Sequence, residues 1–182
     1  RMRAVNANSV ISPRNALSYL INLGVMQAKA SLENENVPAA ISKIKNLQQI
    51  NPSDSSMLED LHQLLVNAGQ TEEADKLFET TYKVSKATIM RFPGHGQHNN
   101  NHAWLLSRCS KKLDEALEHG NRAVQLEPEN GAFLDTLAEV HFQRGDRAKA
   151  IEFSEKAVNL LDGDAQVMRQ LERFKNGDPS DR

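Results

Sequence analysis

The stretch GAFLDTLAEVHFQRGDRAKA, residues 131–150, contains one helix, a tight turn and the start of a second helix. Four residues recur at the spacing of a single helical face: Leu134, Leu137, Ala138 and His141. Gly145 follows where a left-handed residue would end the first helix, and Asp146 is suited to cap the second. The stretch therefore predicts a helix–turn–helix unit that buries one face.

The same arrangement occurs earlier in the chain. Its helical face is formed by Leu58, Leu61, His62 and Leu65. Gly69 and Ala74 then stand where Gly145 and Ala150 stand in the first stretch. A recurring unit of this size predicts a repeat architecture in which each unit stacks on the next, because no unit can bury its apolar face alone.

This unit resembles the tetratricopeptide repeat, a helix–turn–helix of about 34 residues that closes with a proline. Pro52 and Pro128 stand at the closing position, two periods plus about eight residues apart. Eight residues are close to two helical turns, and we place them in the helix that follows Thr71. The segment Asn101–Leu105 is similar to an Asn-x-Ala-Trp-Leu variant that is common in bacterial members of the family.

The resemblance implies an all-α, right-handed α-solenoid of about four helix–turn–helix repeats in a single domain spanning 1–182. The repeats lie near 21–54, 55–88 with a second helix extended to 92, 97–130 and 131–164, and a C-terminal capping helix covers 164–175. The apolar periodicity predicts nine helices, over 13–31, 37–50, 54–68, 71–92, 97–109, 112–127, 131–144, 147–161 and 164–175.

Composition and charge exclude several functions. The formal net charge of −2 and the 25% of charged residues leave no basic surface of the kind that nucleic acid or an anionic membrane requires. No apolar segment approaches the ~20 residues of a membrane span. A single cysteine, Cys109, cannot form an internal disulfide.

The resemblance also implies a function, which is protein–protein recognition through a groove lined by the first helix of each repeat. The groove positions of the family fall on Lys29, Gln63, Asn67, Asn100, Trp104, Arg108, Asp135 and Glu139. Trp104 either anchors a ligand in that groove or packs between repeats. These side chains favour a polar or basic peptide over an acidic one. The partner is therefore an unidentified protein or peptide, with no nucleic acid and no membrane insertion.

No catalytic, metal or cofactor site is predicted. His98 and His102 are four residues apart, a spacing that can place two imidazoles on one metal, but the polar run between them is more typical of a helix start. Cys109 with His119 or His141 has no oxyanion motif. Gly94-His95-Gly96 lacks the Lys-Ser/Thr of a phosphate loop. We therefore expect a chain that is not an enzyme.

The first predicted helix carries apolar residues on more than one face: Leu17, Leu20, Ile21, Leu23, Val25 and Met26. Such a surface predicts contact with further repeats or with another copy of the chain. The chain starts at Arg1, so we interpret it as a fragment of a longer protein. Two alternatives to groove recognition follow: a regulatory or recruiting domain attached to an upstream enzyme, and a self-association module without a groove ligand.

Overall fold

The computed structural model describes residues 13–51 and 55–177, and within these ranges it is an array of nine α-helices without strands. The helices are α1 (Pro13–Glu33), α2 (Val37–Ile50), α3 (Ser55–Asn67), α4 (Thr71–Arg91), α5 (Gly96–Arg108), α6 (Leu113–Leu126), α7 (Gly131–Gln143), α8 (Arg147–Leu160) and α9 (Ala165–Asn176). The all-helical prediction is confirmed. The sequence also predicts Ser12 as the N-cap of the first helix, because it precedes Pro13. Ser12 and the closing proline Pro52 lie outside the described residues.

Consecutive helices pack in pairs, α1 with α2, α3 with α4, α5 with α6 and α7 with α8. The odd-numbered helices α1, α3, α5 and α7 also contact one another in series, so they form one face of the solenoid. The paired helices approach closely at small residues of the even-numbered helices, which are completely buried: Ala40, Ala74, Ala116 and Ala150. A larger side chain at these points would push the two helices apart.

Helix α4 is the exception in length. It has 21 residues where α2, α6 and α8 each have 14. The excess is about two helical turns. The added segment carries Ser85 and the buried Ile89, and it extends α4 beside the start of α5.

Two of the four turns within the helix pairs use glycine in the left-handed region, Gly69 with φ 72° and Gly145 with φ 83°. The equivalent turns after α1 and α5 place Glu35, Ser110 and Lys112 in that region, with φ between 50° and 58°. A left-handed L-residue costs roughly 1–2 kcal/mol. The glycines therefore stabilise the second and fourth pairs relative to the first and third.

We expect Gly145→Ala to lower the free energy of unfolding by roughly 1–2 kcal/mol, because the added Cβ forces a strained backbone. A Cβ built at Gly145 meets nothing within 4 Å, so steric overlap is not involved. Gly94 has an equally open surrounding and no positive φ, and Gly94→Ala serves as the matched control. Urea unfolding would measure both, and equal effects of the two variants would contradict the assignment.

Candidate functional site

A groove runs along the face formed by the odd-numbered helices at the C-terminal end of the array. Its main cavity, of about 740 Å³, lies between α5 and α9. An adjoining cavity of about 410 Å³ lies between α5, α7 and the start of α9. We call the two together the α5–α9 groove, lined chiefly by Asn100, Trp104, Arg108, Asp135, Met168, Arg169 and Arg173.

Helix α5 supplies three of these residues. Asn100, Trp104 and Arg108 are each four residues apart, so they project from one face of the helix. Trp104, the only tryptophan of the chain, is partly exposed and borders both cavities. The Arg108 guanidinium lies 5.4 Å from its ring centroid, within the range of a cation–π contact. The indole therefore lies in the groove, with one face supported by Arg108.

Two residues that line the smaller cavity carry buried acceptor oxygens. The buried Asn100 and the partly buried Asp135 both line it, and the Oδ1 atom of each is inaccessible and accepts no hydrogen bond from the described residues. Burial raises the pKa of the Asp135 carboxyl to about 7, and the neighbouring Glu139 carboxylate adds to the shift. Rotation of these side chains toward the cavity would turn both oxygens into acceptors for N–H donors of a ligand.

Glu139 lies beneath the groove and is completely buried. Its carboxylate pairs with the Arg108 guanidinium at 3.8 Å and with that of Arg173 from α9. The Gln143 amide donates a third contact to it at 2.7 Å. The expectation that Glu139 faces a ligand is therefore corrected: the side chain holds the two arginines and is not accessible itself.

The other three predicted groove residues lie on α1 and α3, and none lines either cavity. Lys29 pairs with Asp60 at 2.5 Å, and the Gln63 amide donates to the Asn67 side-chain oxygen at 2.9 Å. The structure thus brings Asn100, Trp104, Arg108 and Asp135 together around the groove, places Glu139 below them, and leaves Lys29, Gln63 and Asn67 apart.

Sequence reasoning missed the contribution of α9. Met168, Arg169 and Arg173 form the opposite wall of the main cavity, although the sequence predicts this segment only as a cap. The repeat pattern could have predicted this role. The helix that follows α8 occupies the position of the first helix of a further repeat, and first helices line the groove. The lining of the main cavity includes three arginines and Glu172, so this end carries more basic side chains than the groove residues predicted from the sequence.

The exposed apolar face of α1 lies far along the array from this groove. Five large side chains are 45–67% exposed: Leu17, Tyr19, Leu20, Leu23 and Met26. Ile21 and Val25, also counted in the apolar set, are buried in the core. Within residues 13–51 and 55–177, no helix is both long enough and apolar enough to cross a lipid bilayer.

Comparison with solved structures supports the helical-repeat architecture. No protein-family model matches the chain. The solved structure of TTC0263, a thermophilic TPR protein of Thermus thermophilus, superposes with a TM-score of 0.52 at 18% identity, covering 88% of this chain and 81% of that one. The chain therefore has the tetratricopeptide-repeat fold.

Two further solved structures are similar at lower scores. YrrB, described as a TPR protein with an unusual peptide-binding site, gives a TM-score of 0.46 at 12% identity, covering 86% of this chain and 98% of that one. The pilF protein of Pseudomonas aeruginosa gives 0.46 at 18% identity, with coverages of 88% and 70%.

Proposed function

We propose that this protein is a protein–protein interaction module that holds an extended peptide segment in the α5–α9 groove. The observation that carries the proposal is the position of Trp104 between two adjoining cavities on the face formed by the odd-numbered helices. Tryptophan is enriched at binding hot spots because its large ring buries much apolar area at low entropic cost. The cellular role that follows is that of a scaffold in a larger assembly.

The lining defines the chemistry of the partner. An apolar side chain of the peptide would pack on Trp104 and Met168, and an acidic side chain would face Arg169 and the two arginines held by Glu139. Backbone N–H groups of the peptide would donate to Asn100 and Asp135 in the smaller cavity after a small rearrangement of these side chains. We therefore expect a segment with an apolar residue next to an acidic one.

Selection from a random peptide display library, followed by titration of Trp104 fluorescence, tests this function. Because the chain has one tryptophan, any change of emission reports on the groove directly. We expect the selected peptides to carry an acidic residue next to an apolar one. Arg169→Glu should weaken their binding by about tenfold, equivalent to about 1.4 kcal/mol, because an attractive contact becomes repulsive.

Lys156→Glu is the matched control, since Lys156 on α8 is exposed and does not line the groove. Arg108→Glu is unsuitable because it would place a second carboxylate beside the buried Glu139. Equal loss of binding in both charge-reversal variants, or selected peptides that leave Trp104 emission unchanged, would contradict the groove assignment.

A second contact surface is favoured by the exposed apolar face of α1. A contiguous exposed apolar patch commonly marks an interaction site, and five large side chains are exposed there. We propose that this face packs against another copy of the chain. Light scattering of the same samples distinguishes the two surfaces, because self-association through α1 raises the mass with concentration and leaves peptide binding to the groove intact.

A further inference from the structure

A cluster of metal-ligating side chains lies on the opposite side of α5 from the groove's tryptophan. His102 of α5 meets Glu115 and His119 of α6, and one ligand atom from each lies within 4.8 Å of the other two. The His102 Nε2 atom is already 3.3 Å from the Glu115 carboxylate. Ligand atoms on a tetrahedral zinc ion are about as far apart, since each lies about 2.0–2.2 Å from the metal.

The hydrogen bonds around His119 determine its tautomer. The Asn99 amide nitrogen donates to the carbonyl oxygens of Pro93 and His95, at 3.1 and 3.0 Å. Its oxygen must therefore face His119 Nδ1, at 2.8 Å, and a carboxamide oxygen can only accept. Nδ1 of His119 thus carries the proton, and in the neutral ring Nε2 keeps the lone pair that a metal requires.

The other two side chains of the cluster, His102 and Glu115, also contact polar residues outside the cluster. Ser85, in the lengthened part of α4, contacts His102 Nδ1 at 2.9 Å, and the Tyr82 hydroxyl donates to the second oxygen of Glu115 at 3.0 Å. Metal-binding histidines and carboxylates characteristically have such outer partners, which orient the ligand atoms. Glu115 Oε1, which the Tyr82 hydroxyl and the Lys86 ammonium also contact, faces His102 Nε2 at 3.3 Å.

We propose that His102, Glu115 and His119 form a binding site for a divalent transition metal ion of the zinc type. Two imidazoles and one carboxylate suit this class of ion and leave a fourth position for water. Glu115 and His119 are partly exposed while His102 is completely buried, so an ion enters from the α6 side. The bound ion would join α5 to α6 and, through Ser85, to α4.

The Lys86 ammonium competes with a metal ion for the Glu115 carboxylate. Its ammonium lies 3.1 Å from Glu115 Oε1, the oxygen that would bind the metal. The Lys86 side chain is 46% exposed, so it can swing into solvent when an ion enters. Removing its charge should therefore strengthen metal binding without removing any ligand.

Calorimetric titration of the metal-free protein with Zn²⁺, together with the visible absorption of added Co²⁺, tests the site. We expect one ion per chain, a tetrahedral Co²⁺ spectrum and a Zn²⁺-dependent rise of Tm. His119→Gln should weaken binding by more than about tenfold, and Lys86→Gln should tighten it severalfold. The gain in the Lys86 variant separates metal binding from any loss of fold.

The matched control is the double variant His95→Gln, His98→Gln. The centroids of these two rings lie 4.2 Å apart, outside the cluster, and His98 is the residue that sequence spacing alone would pair with His102. Loss of binding in this variant with retention in His119→Gln would overturn the assignment. Absence of saturable Zn²⁺ binding by the folded wild-type chain would overturn it as well.

Discussion

Glu139→Ala is expected to lower the free energy of unfolding by about 3–5 kcal/mol, the largest effect we predict for a single substitution. The carboxylate is completely buried and lies between Arg108 and Arg173, whose side chains are only 15% and 10% exposed. Removing it leaves two cations close together in a poorly hydrated place. It also removes the ion pair by which Arg173 joins α9 to α7.

Urea unfolding followed by circular dichroism would measure this loss. Glu172→Ala is the control, because Glu172 on the same helix as Arg173 is 68% exposed and pairs with Lys175 at 4.0 Å, a contact of the kind that contributes little. A loss below about 1 kcal/mol for Glu139→Ala would mean that water reaches the arginines and replaces the carboxylate.

Asp135→Asn is expected to stabilise the protein, and the gain should depend on pH. The pKa of Asp135 is about 7 in the folded chain against an ordinary value of 3.8, chiefly because of burial. Between these values the folded chain holds a proton that the unfolded chain has released, so wild-type stability falls as pH rises from about 4 to about 7. Asparagine avoids that loss because it carries no charge.

The gain from Asp135→Asn should therefore grow over this window and level off above it. The difference in pKa bounds the gain at about 4 kcal/mol, and partial exposure reduces our expectation to about 2 kcal/mol at pH 8. Unfolding at pH 4.5, 6 and 8 measures it, with the exposed Glu129→Gln as control. A gain that does not change with pH would show that Asp135 remains ionised throughout.

Local sequence patterns predict most of the fold because their causes are local. The Asp146 and Asp164 carboxylates cap α8 and α9 by accepting backbone N–H bonds, as their positions suggest. Gly69 and Gly145 end helices in the left-handed region. The extra length of α4 follows from counting residues between Pro52 and Pro128. The caps and turns depend on only a few neighbouring residues, and the length of α4 follows from the period of the repeat.

The α5–α9 groove and the cluster around His102 were less predictable, because their geometry depends on contacts between segments that are distant in sequence. Helical spacing places Glu139 on the face of α7 that contains Asp135, but it cannot show that Arg173 of α9 covers it. In the same way, spacing pairs His102 with His98, whereas the packing of α6 on α5 pairs His102 with Glu115. These contacts are set by tertiary packing, which the hydrophobic pattern of a single helix does not encode.

The placement of the groove on α5, α7 and α9 has a consequence for how such a chain can change over generations. Every residue of its lining lies after Gly96, and each repeat contacts only its neighbours. Duplication or loss of a helix pair before α5 would change the length of the array without touching the groove. An added pair after Leu160 would separate α7 from α9 and remove one wall. The array is thus free to vary at one end and constrained at the other.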